Sequence, residues 1–208
     1  MNMKCMLAAA TVFFYCNAFA QTSAGIDAYN SSPLIGREDT HQVSVPNAEK
    51  VKSDRHHAER GNAAAQFRLA LRYDLGHGVP QDVAEAVKWL RKAAAQNYVK
   101  AQYNLGCMYA DGHGVPQDHA EAANWFRKAA GNGYARAQKN LGAQYGLGLG
   151  VPQSDIEAFI WSSIAASSGD QGAISNRDFA AEKLSPADLE TARLRVAELG
   201  REIQQKQQ

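Results

Sequence analysis

The fold follows from one stretch of sequence that has a near copy on each side. This stretch, at residues 101–134, is AQYNLGCMYADGHGVPQDHAEAANWFRKAAGNGY. The preceding copy, AQFRLALRYDLGHGVPQDVAEAVKWLRKAAAQNY at residues 65–98, is identical to it at 20 of 34 positions. The following copy, AQKNLGAQYGLGLGVPQSDIEAFIWSSIAASSGD, spans residues 137–170. The three align without a gap at a period of 36 residues. The chain is therefore built from tandem repeats, at about 63–98, 99–134 and 135–170.

The first half of each repeat has the residue spacing of a helix, which we name helix A. Leu105 lies four residues before Tyr109, so both fall on one helix face. A small residue follows each such leucine, and small residues let a neighbouring helix approach closely. The equivalent positions in the other repeats are Leu69 and Tyr73, and Leu141 and Tyr145, with small residues at Ala70, Gly106 and Gly142.

A glycine pair and a Val-Pro step then separate helix A from a second helix, helix B. Glycine adopts the left-handed conformation that ends a helix, and proline directs the chain out of the turn. Helix B begins with a capping pattern, an Asp or Ser followed three residues later by Glu. A tryptophan among alanines forms its predicted packing stripe. The capping pairs are Asp82 and Glu85, Asp118 and Glu121, and Ser154 and Glu157; the stripes are Ala86, Trp89, Ala93; Ala122, Trp125, Ala129; and Ala158, Trp161, Ala165.

The recurring positions give the pattern A-Q-x-x-L-G-x-x-Y-x-x-G-x-G-V-x-Q-D-x-x-x-A-x-x-W-x-x-K-A-A. This pattern resembles the Sel-one-like repeat, a relative of the tetratricopeptide repeat, over about residues 60–170. The resemblance implies an all-α fold, a right-handed superhelical solenoid of antiparallel helix pairs. The third copy departs most, with Ser154 in place of Asp and Ser163-Ile164 in place of Arg-Lys. Such departures are typical of a terminal repeat.

The first twenty residues have the three regions of a secretory signal peptide in the right order. Lys4 supplies a positive charge, residues 6–14 are apolar, and residues 18–20 form a small-x-small cleavage site. The apolar stretch is too short to anchor the chain stably in a bilayer. We predict cleavage after Ala20 and a periplasmic or secreted protein without a stable membrane anchor. An apolar N-terminal helix that stays attached is the alternative.

Cysteine usage agrees with that interpretation. Cleavage removes Cys5 and Cys16 and leaves Cys107 as a single thiol, which cannot form an internal disulfide. A lipoprotein anchor at Cys16 is disfavoured because the bulky Tyr15 precedes it. Cys107 is the one residue with reactive potential, although an inert thiol is the simpler interpretation.

The segments before and after the repeats differ in character. Residues 21–46 are rich in Ser, Asn, Gly and Asp without a period, and we predict a flexible leader there. Residues 47–60 are predicted to form a degenerate helix B, a half-repeat ending at Gly61, so the repeat region covers residues 47–170. Residues 171–203 are predicted to form C-terminal capping helices, the last one starting at Ser185 and covering the apolar face of the third repeat. The Gln-rich residues 204–208 are expected to fray.

Several classes of function find no support in the sequence. Lys and Arg number 22 against 21 Asp and Glu, and without a basic block we predict no nucleic-acid binding. There is no H-E-x-x-H, G-x-S-x-G, Walker loop or paired-cysteine spacing, so we predict no catalytic residue, cofactor or metal. His77 and His113 recur in the turns and could line one edge as metal ligands. Leu149 replaces histidine at the equivalent position of the third repeat. This favours the interpretation that the two histidines are exposed polar turn residues.

One face of helix A is the candidate binding surface. A helical wheel places Phe67, Leu71, Tyr103 and Cys107 opposite the leucine and tyrosine face, with charge at one end from Lys100, Arg136 and Lys139. By the resemblance, this face lines the concave side. Exposed apolar residues rimmed by charge are typical of a protein-binding strip. The alternative is that the leader or the last helix covers these residues.

The resemblance implies a non-catalytic protein–protein interaction module that binds a peptide or protein, an adaptor or a cell-envelope or host-interaction factor. A β-lactam-binding or hydrolysing enzyme, like the cysteine-rich relatives of this repeat, is disfavoured because the repeats here lack the cysteine pairs. A structural subunit of an envelope complex is a further alternative. The repeats reveal the surface and leave the partner unidentified.

Overall fold

The computed structural model describes residues 48–208, and in this part of the chain the backbone forms nine α-helices and no strand. The predicted signal peptide and the leader lie outside the described residues. The helices are α1 Ala48–Glu59, α2 Ala63–Leu75, α3 Val83–Ala95, α4 Val99–Asp111, α5 His119–Gly131, α6 Ala135–Leu147, α7 Asp155–Ala166, α8 Gln171–Lys183 and α9 Pro186–Lys206.

Each repeat is a pair of helices A and B, namely α2 and α3, α4 and α5, and α6 and α7. The two helices of each repeat pack together, and α3 also contacts α4 as α5 contacts α6. The repeats therefore stack in chain order, because one pair cannot bury its apolar face alone. The predicted all-α fold, a helical solenoid of repeats with a C-terminal helix, is confirmed.

The predicted helix ends are confirmed in the structure. Gly112 ends α4 in the left-handed conformation, with φ at 72°, and its N–H donates to the Met108 carbonyl. The Asp118 carboxylate accepts hydrogen bonds from the Ala120 and Glu121 N–H groups at the start of α5. Asp82 caps α3 by accepting from the Glu85 N–H group, and Ser154 caps α7 by accepting from the Glu157 N–H group. The exchange of Asp for Ser in the third repeat thus preserves the cap.

The small residues on helix A explain how closely each helix pair packs. A Cβ atom built on Gly106 would lie 2.6 Å from the Phe126 ring of α5. A Cβ atom on Gly142 would lie 2.5 Å from the Ser162 Oγ of α7. A side chain at either position would collide with helix B, so glycine is required for this interhelical distance.

Hydrogen bonds repeat along the chain with the same period as the sequence. Gln102 Nε2 donates to the Ala94 carbonyl of the preceding repeat at 3.3 Å, and Arg91 Nη2 donates to the Tyr109 hydroxyl at 2.8 Å. Gln66 and Gln138 donate to Ala58 and Ala130, and Arg55 and Arg127 donate to Tyr73 and Tyr145. Since α1 supplies both Arg55 and Ala58 in phase, it has the place of a helix B.

The C-terminal helices cover the third repeat. α8 and α9 both pack on α7, where Phe159 and Ile160 are buried in a cluster with Ala180 and Ala192. Ser185 caps α9, and its Oγ accepts from the Asp188 N–H at 3.1 Å. The fraying expected of residues 204–208 stays a prediction. The helix continues to Lys206, because Ile203 is buried and Gln207 Nε2 donates to the Asn132 carbonyl at 3.2 Å.

Candidate partner-binding surface

The predicted binding strip begins with two residues that are not exposed. The accessible fraction is 0% for Phe67 and 2% for Leu71, and both belong to the main apolar cluster of the first repeat. The expectation that they lie on an open surface is wrong. The 3.6-residue period separates the faces of a helix, but it does not show that a neighbouring element covers the second face as well.

Phe67 belongs to a contact that recurs in every repeat. Its ring centroid lies 5.2 Å from that of Tyr98, the residue that precedes α4. In the second repeat Tyr103 lies 5.0 Å from Tyr134 in the same way. In the third repeat an ion pair takes the place of the two rings, with Lys139 Nζ at 3.0 Å from Asp170 Oδ2. Three predicted strip residues therefore contact the residue that precedes the next helix A, 31 positions later.

Tyr103 and Cys107 form the apolar centre of the strip and are half-buried. Burial raises the pKa of the Tyr103 hydroxyl, and the neighbouring Cys107 adds to that effect. Burial also raises the pKa of the Cys107 thiol to about 12, although the hydrogen bond with Tyr103 opposes this. The thiolate is therefore scarce near neutral pH. Since the thiolate is the reactive form, the structure favours an inert Cys107.

The cationic residues of the strip come from two adjacent repeats. Lys100 of α4 and Arg136 of α6 are 36 residues apart, and both are half-buried. Lys139 is committed to its ion pair with Asp170. Burial acts to raise the pKa of Asp170, but hydrogen bonds from Lys139 and from the Ala173 N–H group outweigh it, and the pKa is lowered. The surface therefore combines positive charge with the half-buried ring of Tyr103.

The end of α9 lies beside this strip. Ile203 is 5% exposed and belongs to the same apolar cluster as Phe126 of α5 and Leu141 of α6. Tyr103, Cys107 and Tyr134 pack against that cluster. The last turns of α9 thus belong to the cluster against which Tyr103 and Cys107 of the predicted strip pack.

The two turn histidines differ in their surroundings. His77 is exposed, as expected, but His113 Nε2 lies 2.9 Å from Oδ1 of the buried Asp74. His113 therefore joins the turn of the second repeat to helix A of the first. Within residues 48–208, no group of three or more His, Cys, Asp and Glu side chains is placed to hold a metal ion. None of the helices in that range combines the length and apolarity needed to span a bilayer.

Sequence reasoning missed Tyr134, Asn132 and Ile203 as parts of this surface. The 31-residue separation of Phe67 from Tyr98 and of Tyr103 from Tyr134 was visible as recurring aromatic residues. Ile203 was visible as the last apolar position of α9, but no pattern shows where the end of a helix docks. The surface on which the last turns of α9 pack depends on tertiary structure.

Comparison with known proteins agrees with the helix pairs described above. The family model described as "Sel1 repeat" matches residues 63–98, 99–134 and 135–170. The crystal structure of a Sel1 repeat protein from Oxalobacter formigenes is 36% identical, with a TM-score of 0.59. That likeness covers 62% of this chain and 97% of the other. A search of curated proteins found no match.

A second solved structure is that of c5321, a protective antigen present in uropathogenic Escherichia coli strains that displays an SLR fold. It is 30% identical, with a TM-score of 0.57, and the likeness covers 74% of this chain and 41% of c5321. Sel1 repeat proteins are generally protein-interaction modules and typically non-catalytic scaffolds. Since the three matched repeats make up more than half of the sequence, the chain belongs to the Sel1 repeat family.

Proposed function

We propose that this protein is an exported, non-catalytic adaptor that binds a partner protein through helix A of the second and third repeats. One observation carries the proposal: Lys100, Tyr103 and Arg136 are half-buried and lie on adjacent repeats, in register with the 36-residue period. A half-buried ring rimmed by cations offers apolar contact and electrostatic orientation to the same ligand. Because Phe67 and Leu71 are buried, the first repeat contributes less to this surface than the sequence suggests.

The cations indicate the charge of the partner segment. Lys100 and Arg136 lie one repeat apart, and no acidic residue occurs between positions 97 and 106 or between 131 and 143. Their positive charge favours an acidic or phosphorylated segment of a partner. Charge complementarity of this kind increases the association rate more than it increases affinity.

Site-specific crosslinking tests the binding surface. A photoreactive amino acid placed at Lys100 or Arg136 should form crosslinks to a partner in cells that express the protein. The same amino acid at Lys88, exposed on helix B of the first repeat, is the matched control. Charge reversal at both Lys100 and Arg136 should reduce partner recovery about tenfold or more, while circular dichroism remains unchanged. Equal crosslinking from Lys88 and from the two helix A positions contradicts the proposal.

Protein purified from the expressing cells tests both export and the lack of catalysis. If the signal peptide is removed, protein recovered from the cell envelope or the medium should begin at Gln21 by mass spectrometry. An N-terminus at Met1 contradicts processing after Ala20. The purified mature chain should not hydrolyse a chromogenic β-lactam. Turnover that follows the protein through purification contradicts a purely non-catalytic role.

A further inference from the structure

Helix α9 covers two different surfaces along its length. Its first half, through Leu189, Ala192 and Val196, joins the apolar cluster formed with α7 and α8. Its last turns extend beyond that cluster, because Ile203 packs in the cluster that contains Phe126 of the second repeat. α9 thus runs back past the third repeat and ends at the turn between α5 and α6. The first half alone covers the end of the repeat array.

Few interactions hold the last turns of α9. Ile203 is buried and Leu199 is half-buried, while residues 204–208 are all exposed. Gln207 Nε2 donates to the Asn132 carbonyl at 3.2 Å, on an exposed surface. Because these turns are held by few buried side chains and by an exposed hydrogen bond, they can leave the surface without opening any repeat.

The surface beneath these turns is shaped for a helix. A Cβ atom on Gly133 would lie 3.2 Å from Ile203 Cγ2 and would collide with the Gln207 side chain, so α9 sits directly on this turn. Tyr103 and Tyr134 pack against the same cluster as Ile203. Leu199 and Ile203 are four residues apart and lie on one helix face. The surface therefore accepts an amphipathic helix with two aliphatic residues at that spacing and an amide donor near its end.

We propose that this docking surface, formed by Asn132, Gly133 and Tyr134 beside Tyr103 and Cys107, receives an amphipathic helix of the partner protein. The last turns of α9 are its resident occupant, and the partner helix displaces them. This inference rests on the proposed function, since it specifies the partner's chemistry and adds a regulatory step. Occupation by α9 lowers the apparent affinity for the partner by the fraction of molecules in which the surface is covered.

A peptide added to the full chain tests the docking surface. The probe is a fluorescent peptide of residues 197–208, with a hydrocarbon staple joining the exposed positions 201 and 205. By fluorescence anisotropy it should bind the Ile203→Asp chain about tenfold or more tightly than the wild-type chain, because the resident turns are released. The Leu194→Asp chain is the matched control, since Leu194 lies on α9 and is 67% exposed. It should bind the probe like the wild type.

A second pair of variants separates loss of docking from loss of folding. Gly133→Asn places a side chain where Ile203 and Gln207 lie, while Asn97 shows that Asn adopts the same backbone conformation in this fold, with φ at 61°. Introduced into the Ile203→Asp chain, Gly133→Asn should abolish probe binding. Gly169→Asn makes the same backbone change with open space around it and should preserve binding. Equal affinity of the probe for the wild-type and Ile203→Asp chains, or binding to neither, overturns the inference.

Partner crosslinking distinguishes this inference from the proposed function. Crosslinks at Lys100 and Arg136 that Ile203→Asp does not increase leave the adaptor function standing and overturn displacement of α9. Probe binding as expected, without crosslinks in any variant, supports the docking surface and contradicts the proposed function. Concentration-dependent wild-type dimers that Ile203→Asp abolishes would assign the surface to α9 of a second copy, which overturns the partner helix.

Discussion

At the N-terminal end of the repeat array the helix junction buries charge, whereas at the C-terminal end it buries aliphatic and aromatic side chains. Asp54 of α1 lies 2.8 Å from Nε of Arg68 and 2.8 Å from Nε of Arg72, and the Arg72 side chain is 1% exposed. At the other end, Phe159 and Ile160 of α7 pack in a cluster with residues of α8 and α9.

The equivalent positions in the middle of the array carry different residues from those at either end. The positions equivalent to Asp54 and Arg72 are Leu90 and Met108, both buried. The position equivalent to Ile160 is Asn124, which is exposed. The repeat backbone is therefore compatible with a charged or an apolar junction. The side chains at a few positions determine which elements can cover each end.

The two ends are therefore expected to lose stability for different reasons when a residue is substituted. A buried ion pair depends on both partners, because removal of one leaves an uncompensated charge. An apolar contact loses stability in proportion to the surface that it no longer buries. The predictions alter one end, or the middle that serves as its reference, by copying a residue that another repeat already carries, by introducing a charge or by removing one.

The largest effect is expected at the C-terminal end, from Ile160→Asp. This variant places a carboxylate in the cluster between α7 and the C-terminal helices and should lower the free energy of unfolding by about 4 kcal/mol. Asn124→Asp makes the same residue at the exposed equivalent position and should change it by less than about 0.5 kcal/mol. Urea denaturation at neutral pH measures both. Similar losses in the two variants would show that α8 and α9 do not cover α7 in solution.

At the N-terminal end, Asp54→Leu should cost about 3 kcal/mol because Arg72 stays buried without its carboxylate. Adding Arg72→Met copies the Leu90 and Met108 pair of the next junction. The double variant should recover to within about 1 kcal/mol of the wild type or exceed it. Urea denaturation again provides the measurement. A double variant as unstable as Asp54→Leu would mean that the first junction cannot adopt the apolar packing of the second.

In the middle repeat, Gly106→Ala should cost about 2 kcal/mol because its Cβ atom collides with the Phe126 ring. The first repeat has Ala70 and Leu90 at these positions, so adding Phe126→Leu should recover part of the loss. Thermal unfolding compares the single and double variants, with Ala70→Gly as the reverse exchange. Full stability of Gly106→Ala alone would contradict the close approach of α4 and α5.

The smallest effect is expected near the C-terminal end, where Lys139 and Asp170 replace the aromatic pairs of the other repeats. Lys139→Met removes a hydrogen bond that lowers the pKa of Asp170, so this pKa should rise toward its usual value. A lowered pKa stabilises the folded state above the unfolded pKa of about 3.9, and the gain is lost as the pH falls through the folded value.

The stability difference between wild type and Lys139→Met should therefore be at most about 1 kcal/mol at pH 6 and should vanish near pH 2. Carboxyl-detected NMR titration reports the pKa of Asp170, and urea denaturation at the two pH values reports stability. Lys52→Met, on an exposed side chain of α1, is the control. An unchanged Asp170 titration in the Lys139 variant would show that the ion pair is not formed in solution.

Much of this architecture follows from local patterns. Asp82, Asp118 and Ser154 cap their helices as the sequence indicates, because capping involves residues only three apart. Gly106 and Gly142 mark the close approach of helix A and helix B. The strip on helix A was predicted less well, since Phe67 and Leu71 are buried. They lie in a cluster with residues of α1, α3 and α4, and the helical period does not show that such neighbours cover a second face.

The 36-residue unit, its two helices, its turns and its caps can be predicted from the sequence alone. Each of them depends on contacts within one unit or between similar neighbours. The elements that cover the two ends of the array, and the contacts they make, are visible only in the tertiary structure. Ile203 meets the turn at Gly133 through a contact between elements that are not copies of one another. A repeat period carries no information about such contacts, so the partly covered surface on the second repeat became visible only once the chain was folded.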